Sequence, residues 1–225
     1  IYTAFYTLSL HDALPDLLSD HGTSTRAVWI AAGADPALPL YRRVAVRVKP
    51  GPGEPRLAGN KKLPEARRSE TGEIAWVAEP PEQAAYTINT PSVRAAAGYL
   101  GGRTIQLGDL SFTMPETPTN WASVALAALD GRPIAQSKRL LLVAMGRAEN
   151  TGMGWDEQYT TVGRKWGEAP VRIEGIPLNV RLPGKVKACH ALDGTGKEKQ
   201  AVPLAADGGI SVGPQHETAW YLITR

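Results

Sequence analysis

Cysteine is almost missing from this sequence. Cys189 stands alone among 225 residues, so no disulfide can close within the chain. Its setting in the strand-like run VKACHAL suits a small buried hydrophobe better than a nucleophile or a metal ligand. The neighbouring His190 does not alter that, because adjacent residues on a strand point to opposite faces. Long apolar runs are also lacking: none exceeds six residues. A bilayer-spanning helix needs roughly 20, so no membrane partner is expected. Charge of one sign is scarce. The 25 lysines and arginines against 22 acidic residues leave +3, dispersed in pairs such as Arg42 and Arg43, Lys61 and Lys62, and Arg67 and Arg68. Such pairs read as solvated surface and speak against nucleic acid as a partner. The histidines His11, His21, His190 and His216 show no His-x-x-x-His spacing and no Cys-x-x-Cys accompanies them, so neither a metal nor another cofactor is indicated. GYLGG over residues 98–102 lacks the lysine and helix start of a phosphate loop, and there is no Gly-x-Ser-x-Gly elbow. No basic segment leading into an apolar core is legible near residue 1, so no export signal is read there.

What the chain does have is punctuation. Its 23 glycines and 18 prolines disfavour helix interiors and supply turns. After Gly72 the rhythm is regular: EIAWV, AYTIN, TIQLG, LSFTM, SVALAAL, RLLLVAM, PVRIE, LNVRL, VKACHAL, GISVG and AWYLIT are short runs divided by turn residues. Strands recurring at about 8–12 residues predict an all-β chain, an antiparallel β-sandwich of immunoglobulin-like or jelly-roll-like type with few or no helices. Leu178, Val180 and Leu182 alternate with Asn179 and Arg181, and Trp220, Leu222 and Thr224 alternate with Tyr221 and Ile223, so each strand should give one face to the core. ALDG occurs at residues 128–131 and again at 191–194. Asp-Gly tolerates the positive φ of tight turns, which predicts hairpin corners at both.

Three segments follow from this rhythm. Residues 1–22 differ from the rest: FYTLSLHDALP resembles the peptide read from a translated sequencing adapter, which implies that residues 1–14 are not native and that the natural sequence continues upstream. A short amphipathic helix over residues 10–19, interrupted by Pro15, is the alternative. Residues 23–72 hold AVWIAA, a half-buried strand in which Val44, Val46 and Val48 alternate with Ala45 and Arg47, and a polar connection over residues 56–72. Residues 73–225 form the sandwich.

The stretch over residues 137–182, with SKRLLL, then RAENTGM, then WGEAPVRIEGIP, resembles the carboxy-terminal β-sandwich of large multidomain bacterial glycoside hydrolases. The likeness extends over residues 73–225, through TGEIAWV, SVALAALDGRPIAQ and the closing AWYLITR. It implies a non-catalytic accessory domain whose partner is a preceding catalytic barrel, in an enzyme that works in the periplasm or outside the cell. Packing against that barrel predicts an apolar patch on the surface. No barrel repeat of strand and helix is visible in these residues.

Two other functions remain open on the residues alone. The first is a carbohydrate-binding module: six tryptophans against two phenylalanines is a skewed ratio, and exposed indole or phenol faces can stack on sugar rings. Trp155, Tyr159 and Trp166 lie in the most loop-like region, with Asp156, Glu157, Gln158 and Arg164 beside them, and a polysaccharide would be the partner. The alternative for all three aromatics is packing beneath a long loop, which WGEAP especially invites for Trp166. Trp76, Trp121 and Trp220 read as core or interface residues. The second is an autonomous O-glycosyl hydrolase. It needs two carboxylates about 5–10 Å apart across the scissile bond, for which Glu149, Asp156, Glu157, Glu168 and Glu174 are candidates. Glu149 and Asn150 show in reversed order the Asn-Glu pair of many barrel glycosidases. Surface carboxylates are the default, and no catalytic residue is assigned.

Overall fold

The computed structural model describes residues 33, 35, 38–41, 67–77, 80–157 and 161–225. The backbone forms two compact units, Ile1–Ala75 and Trp76–Arg225. In the first, a single helical turn, α1 (Leu38–Tyr41), buries the side chains of Leu38 and Tyr41. The Tyr41 carbonyl accepts the N–H of Glu70 at 2.8 Å, and Arg68 makes an antiparallel bridge with Ala75. The expected leader over residues 1–22, AVWIAA, and the strand through Val44, Val46 and Val48 lie outside the described residues.

The second unit is all-β. Its strands are β1 (Ile74–Val77, which straddles the division), β2 (Ala85–Asn89), β3 (Val93–Tyr99), β4 (Arg103–Leu107), β5 (Leu110–Met114), β6 (Trp121–Ala128), β7 (Arg139–Met145), β8 (Ala148–Thr151), β9 (Glu168–Ile173), β10 (Leu178–Arg181), β11 (Ala188–Leu192), β12 (Glu198–Val202), β13 (Ile210–Val212) and β14 (Trp220–Thr224). They make an eight-stranded sheet in the order β1-β2-β3-β6-β7-β14-β11-β12, a four-stranded sheet in the order β13-β10-β5-β4, and a separate ribbon of β8 and β9. The described pairings are antiparallel, and neither sheet closes into a barrel. The antiparallel sandwich class expected from the turn rhythm is therefore found.

One core lies between the sheets. Val124 and Leu126 of β6, Leu140 and Leu142 of β7, Cys189 of β11, and Tyr221 and Ile223 of β14 join Phe112 and Met114 of β5, Leu178 and Val180 of β10 and Ile210 of β13 in a single buried cluster. Alternation puts every second residue of these strands inward, as the period-two pattern of β10 and β14 requires. Both ALDG segments turn corners. Between β6 and β7 the Asp130 carboxylate accepts the N–H of Lys138 at 2.8 Å, and between β11 and β12 Asp193 accepts the Thr195 hydroxyl at 2.7 Å and the N–H groups of Thr195 and Lys197. These donors, Lys138 for Asp130 and Thr195 foremost for Asp193, hold both carboxyls below their ordinary range. The repeat is a turn device in both places.

Two buried titratable groups carry direct predictions. Burial pushes the Cys189 thiol up to about 12, so a thiol reagent at neutral pH should leave the native chain unmodified and label it only on unfolding. Rapid labelling of folded protein would contradict that burial. His216 is also buried: its Nδ1 accepts the Gly213 N–H at 3.4 Å, and its ring meets Tyr221 edge-on with centroids 5.6 Å apart. Burial first, and the charge of Lys199 second, lower its pKa from 6.5. The folded chain thus favours the neutral ring, while the unfolded chain takes up a proton more readily. The stabilisation is present above pH 6.5 and is lost as pH falls through the lowered value. Thermal midpoints measured from about pH 7.5 down to about pH 5 should fall, and His216→Gln should flatten that fall. An identical slope in the variant would assign it to other groups.

Candidate functional site

Two features of the second unit stand apart from its core. The first is the outer face of the eight-stranded sheet. Reading across the registers, one row runs Ile88, Ala95, Ala125, Val143, Trp220, from β2 through β3, β6 and β7 to β14. A second row runs Val93, Ala127, Leu141, Leu222, His190, and a third runs Tyr86, Ala97, Ser123, Met145. These residues alternate with the inward ones, so they occupy the side opposite the core. Across three rows the polar members are Ser123, His190 and the Tyr86 hydroxyl, and no carboxylate, ammonium or guanidinium belongs to them. Trp220 is the most open member, at 41 % exposure, and the rest are half-buried; the neighbouring row pairs Tyr99, 40 % exposed, with Trp121. Antiparallel sheets with one face in water normally alternate apolar-in and polar-out. β6 (WASVALAA) and β7 (RLLLVAM) instead read as strands with apolar residues on both faces.

The second feature is the ribbon. β8 and β9 are joined by the Gly- and Trp-rich loop, which folds back on itself through the Gly154 N–H to the Lys165 carbonyl at 2.9 Å. Register pairs Ala148 with Ile173, Glu149 with Arg172 and Asn150 with Val171. The ladder continues past the strand ends: the Glu174 N–H donates to the Arg147 carbonyl at 2.8 Å, and the Gly146 N–H donates to the Glu174 carbonyl at 2.8 Å. Paired residues share a face, so one side carries Ala148, Asn150, Val171 and Ile173, and the other carries Glu149 and Arg172. Val171 and Ile173 are 62 % and 56 % exposed.

At the base of the ribbon lies an open cleft of about 340 Å³ lined by Arg147, Glu149, Arg172, Ile173 and Glu174. Glu149 Oε2 accepts the Trp155 indole N–H at 2.9 Å, and Oε1 stands 3.5 Å from the Arg172 guanidinium. Glu174 Oε2 accepts the Arg147 backbone N–H at 3.1 Å, and Oε1 accepts the Thr119 hydroxyl at 3.4 Å. Gly146 makes this approach possible. A β-carbon there would lie 2.5 Å from Glu174 Oε2, so any side chain would push the carboxylate away. Both carboxylates are engaged as acceptors of hydrogen bonds from neighbouring groups.

The residues singled out in the loop are placed differently from one another. Trp155 is half-buried and tied to Glu149, and Asp156 is half-buried with its N–H donated to the Thr161 carbonyl at 3.0 Å. Arg164 is exposed, and Tyr159 and Gln158 lie outside the described residues. Trp166 does not pack beneath the loop: the residue is 63 % exposed, while its carbonyl accepts the Asn150 amide at 2.9 Å. The backbone of Trp166 is what the ribbon uses. Of the five carboxylates considered, Glu149 and Glu174 border the cleft, whereas Glu157 and Glu168 are exposed elsewhere. Arg147 and Arg172 were not legible as site residues, because nothing local marks them until the ribbon register brings them to the carboxylates.

Among the described residues no group of three His, Cys, Asp or Glu side chains could hold a metal ion, and no helix is long and apolar enough to cross a membrane. The fold defines the second unit as an open antiparallel sandwich with an attached ribbon. Comparison of the chain with family models, curated proteins and solved structures finds no match.

Proposed function

We propose that the chain is a non-catalytic accessory β-sandwich that packs against another domain through the outer face of its eight-stranded sheet. The observation that carries this reading is the charge-free composition of the three rows from Ile88 to Trp220, Val93 to His190, and Tyr86 to Met145. Covering such a face contributes about 25 cal/mol for each Å² of apolar surface taken from water, so even a modest contact restrains two domains. The neighbour it fits presents an apolar surface of its own. That the neighbour is the catalytic barrel of a glycoside hydrolase, working in the periplasm or outside the cell, is supported by the sequence resemblance over residues 73–225.

The isolated chain should bind an apolar-surface dye in its native state, and Leu141→Lys combined with Val143→Glu should remove most of that signal while the thermal midpoint stays within a few degrees. A native chain that leaves the dye dark would sink the docking role. Reading the encoding gene upstream of Thr23 tests the parent: an in-frame barrel with two facing carboxylates supports it, and a different neighbouring domain replaces it.

A further inference from the structure

The geometry points to the cleft at the base of the β8–β9 ribbon as a binding site for a neutral saccharide unit, held by Glu149, Arg172 and Glu174.

Charge narrows the ligand first. Among the described residues the lining carries two guanidinium groups and two carboxylates, whose formal charges cancel, and each carboxylate already faces a cation: Glu149 faces Arg172 at 3.5 Å and Glu174 faces Arg147 at 3.9 Å. A charged ligand would meet one attractive and one repulsive partner at either pair, and would have to displace an existing contact. A neutral ligand meets no such opposition. Hydrogen-bond capacity narrows it further. A carboxylate offers about four lone-pair positions, and the contacts of Glu149 and of Glu174 leave some of them open. Arg172 has five N–H donors, a single contact to Glu149, and a side chain 61 % exposed. Acceptors and donors therefore alternate along the cleft wall. A hydroxyl both gives and takes a hydrogen bond, and two neighbouring hydroxyls on a ring can give to a carboxylate and take from a guanidinium at once. A polyhydroxylated ring is the ligand class that uses every one of these groups.

Shape and rigidity agree with that class. About 340 Å³ suits one or two sugar rings. The indole N–H of Trp155 fixes the Glu149 carboxylate from one side, and the Arg147 backbone and Thr119 fix Glu174, so the acceptors are oriented before a ligand arrives. None of the lining residues belongs to the sandwich core. The site can therefore be altered without touching what holds the fold together, and it stands independently of the docking role of the outer sheet face.

The test is saturation-transfer NMR on the full chain with cellobiose, maltose, lactose and xylobiose, alongside glucuronate and inorganic sulfate as anionic probes. At least one neutral disaccharide should give saturable transfer. Arg172→Gln, at an exposed position, should weaken it by about tenfold with the thermal midpoint unchanged. Trp166→Ala, outside the cleft lining, should leave it unaltered. No transfer from any of the four sugars, transfer from sulfate or glucuronate alone, or sugar binding that survives Arg172→Gln and disappears in Trp166→Ala would each overturn the assignment. The dye result on the outer face is read separately, so the two ideas fail independently.

Discussion

Gly98→Ala is expected to destabilise the chain by on the order of 4 kcal/mol, from backbone strain and steric overlap of about 1–3 kcal/mol each. Gly98 lies in β3 at φ +130, a conformation closed to side-chain-bearing residues, and pairs with Ala85 on one side and Ala122 on the other. A β-carbon built there would lie 2.3 Å from the Ala84 carbonyl oxygen and 2.8 Å from the Ala85 Cα. Both obstacles are backbone, held by the Tyr99 N–H to the Ala84 carbonyl at 2.9 Å, so no rotamer change relieves them. The β2–β3 pairing must open or the whole edge must shift. Urea denaturation followed by far-ultraviolet circular dichroism would show the lowered midpoint. Gly131→Ala is the matched control: its φ is also positive, at +71, but nothing lies within 4 Å of the added carbon, so it should cost only about 1 kcal/mol. Equal effects at the two glycines would mean that the β2 backbone gives way and that strain alone sets the loss.

The second large effect is Leu142→Ala. Leu142 is 0 % exposed in the middle of β7, between Leu126 of β6 and Tyr221 of β14, and its side chain belongs to the shared core. Truncation removes transfer energy and leaves a cavity that two flanking strands cannot close, which costs about 3 kcal/mol. For a domain of this size the thermal midpoint should drop by about 9 °C. Leu141, the next residue, faces the other way and is half-buried. Leu141→Ala should therefore cost less than about 1 kcal/mol in the isolated chain. The comparison reads the two faces of one strand. A loss at Leu141 as large as at Leu142 would show that the outer face is already packed.

Much of the sandwich was legible because its strands announce themselves by composition and turns. LSFTM, AYTIN and RLLLVAM coincide with β5, β2 and β7, since runs of β-branched, aromatic and leucine side chains are bounded by Gly, Pro, Asn or Asp. β12 gave no such signal. EKQAV is polar over most of its length because it is an edge strand with one residue, Val202, turned into the core. The alanines of β3 hide a strand in a different way, since alanine carries little strand preference and the pairing with β2 and β6 supplies what composition does not. In the candidate site, Glu149 and Glu174 were visible as carboxylates and Trp155 as an aromatic. Their convergence was not visible, because it depends on the β8–β9 register and on a glycine at position 146 that admits the Glu174 side chain. Trp166 misled because a tryptophan beside a strand suggests packing, whereas here its carbonyl makes the contact and the residue is exposed.

The position of β14 has a consequence for how the molecule is built up. Although it follows all the other described strands in sequence, it sits inside the large sheet, between β7 and β11. Until residues 220–224 are available, β7 and β11 have no partner at those edges, and the sheet exists only as two separate ladders that expose unpaired N–H and C=O groups to each other and to other chains. Joining β14 to β7 closes a loop from Met145 to Trp220, a long-range step whose entropy must be met before its hydrogen bonds form. A chain in which β14 is undocked therefore leaves both ladders unpaired along one edge. The Arg225 guanidinium then ties that strand to the Ile134 and Ala135 carbonyls of the β6–β7 turn, at 2.8 Å and 3.2 Å.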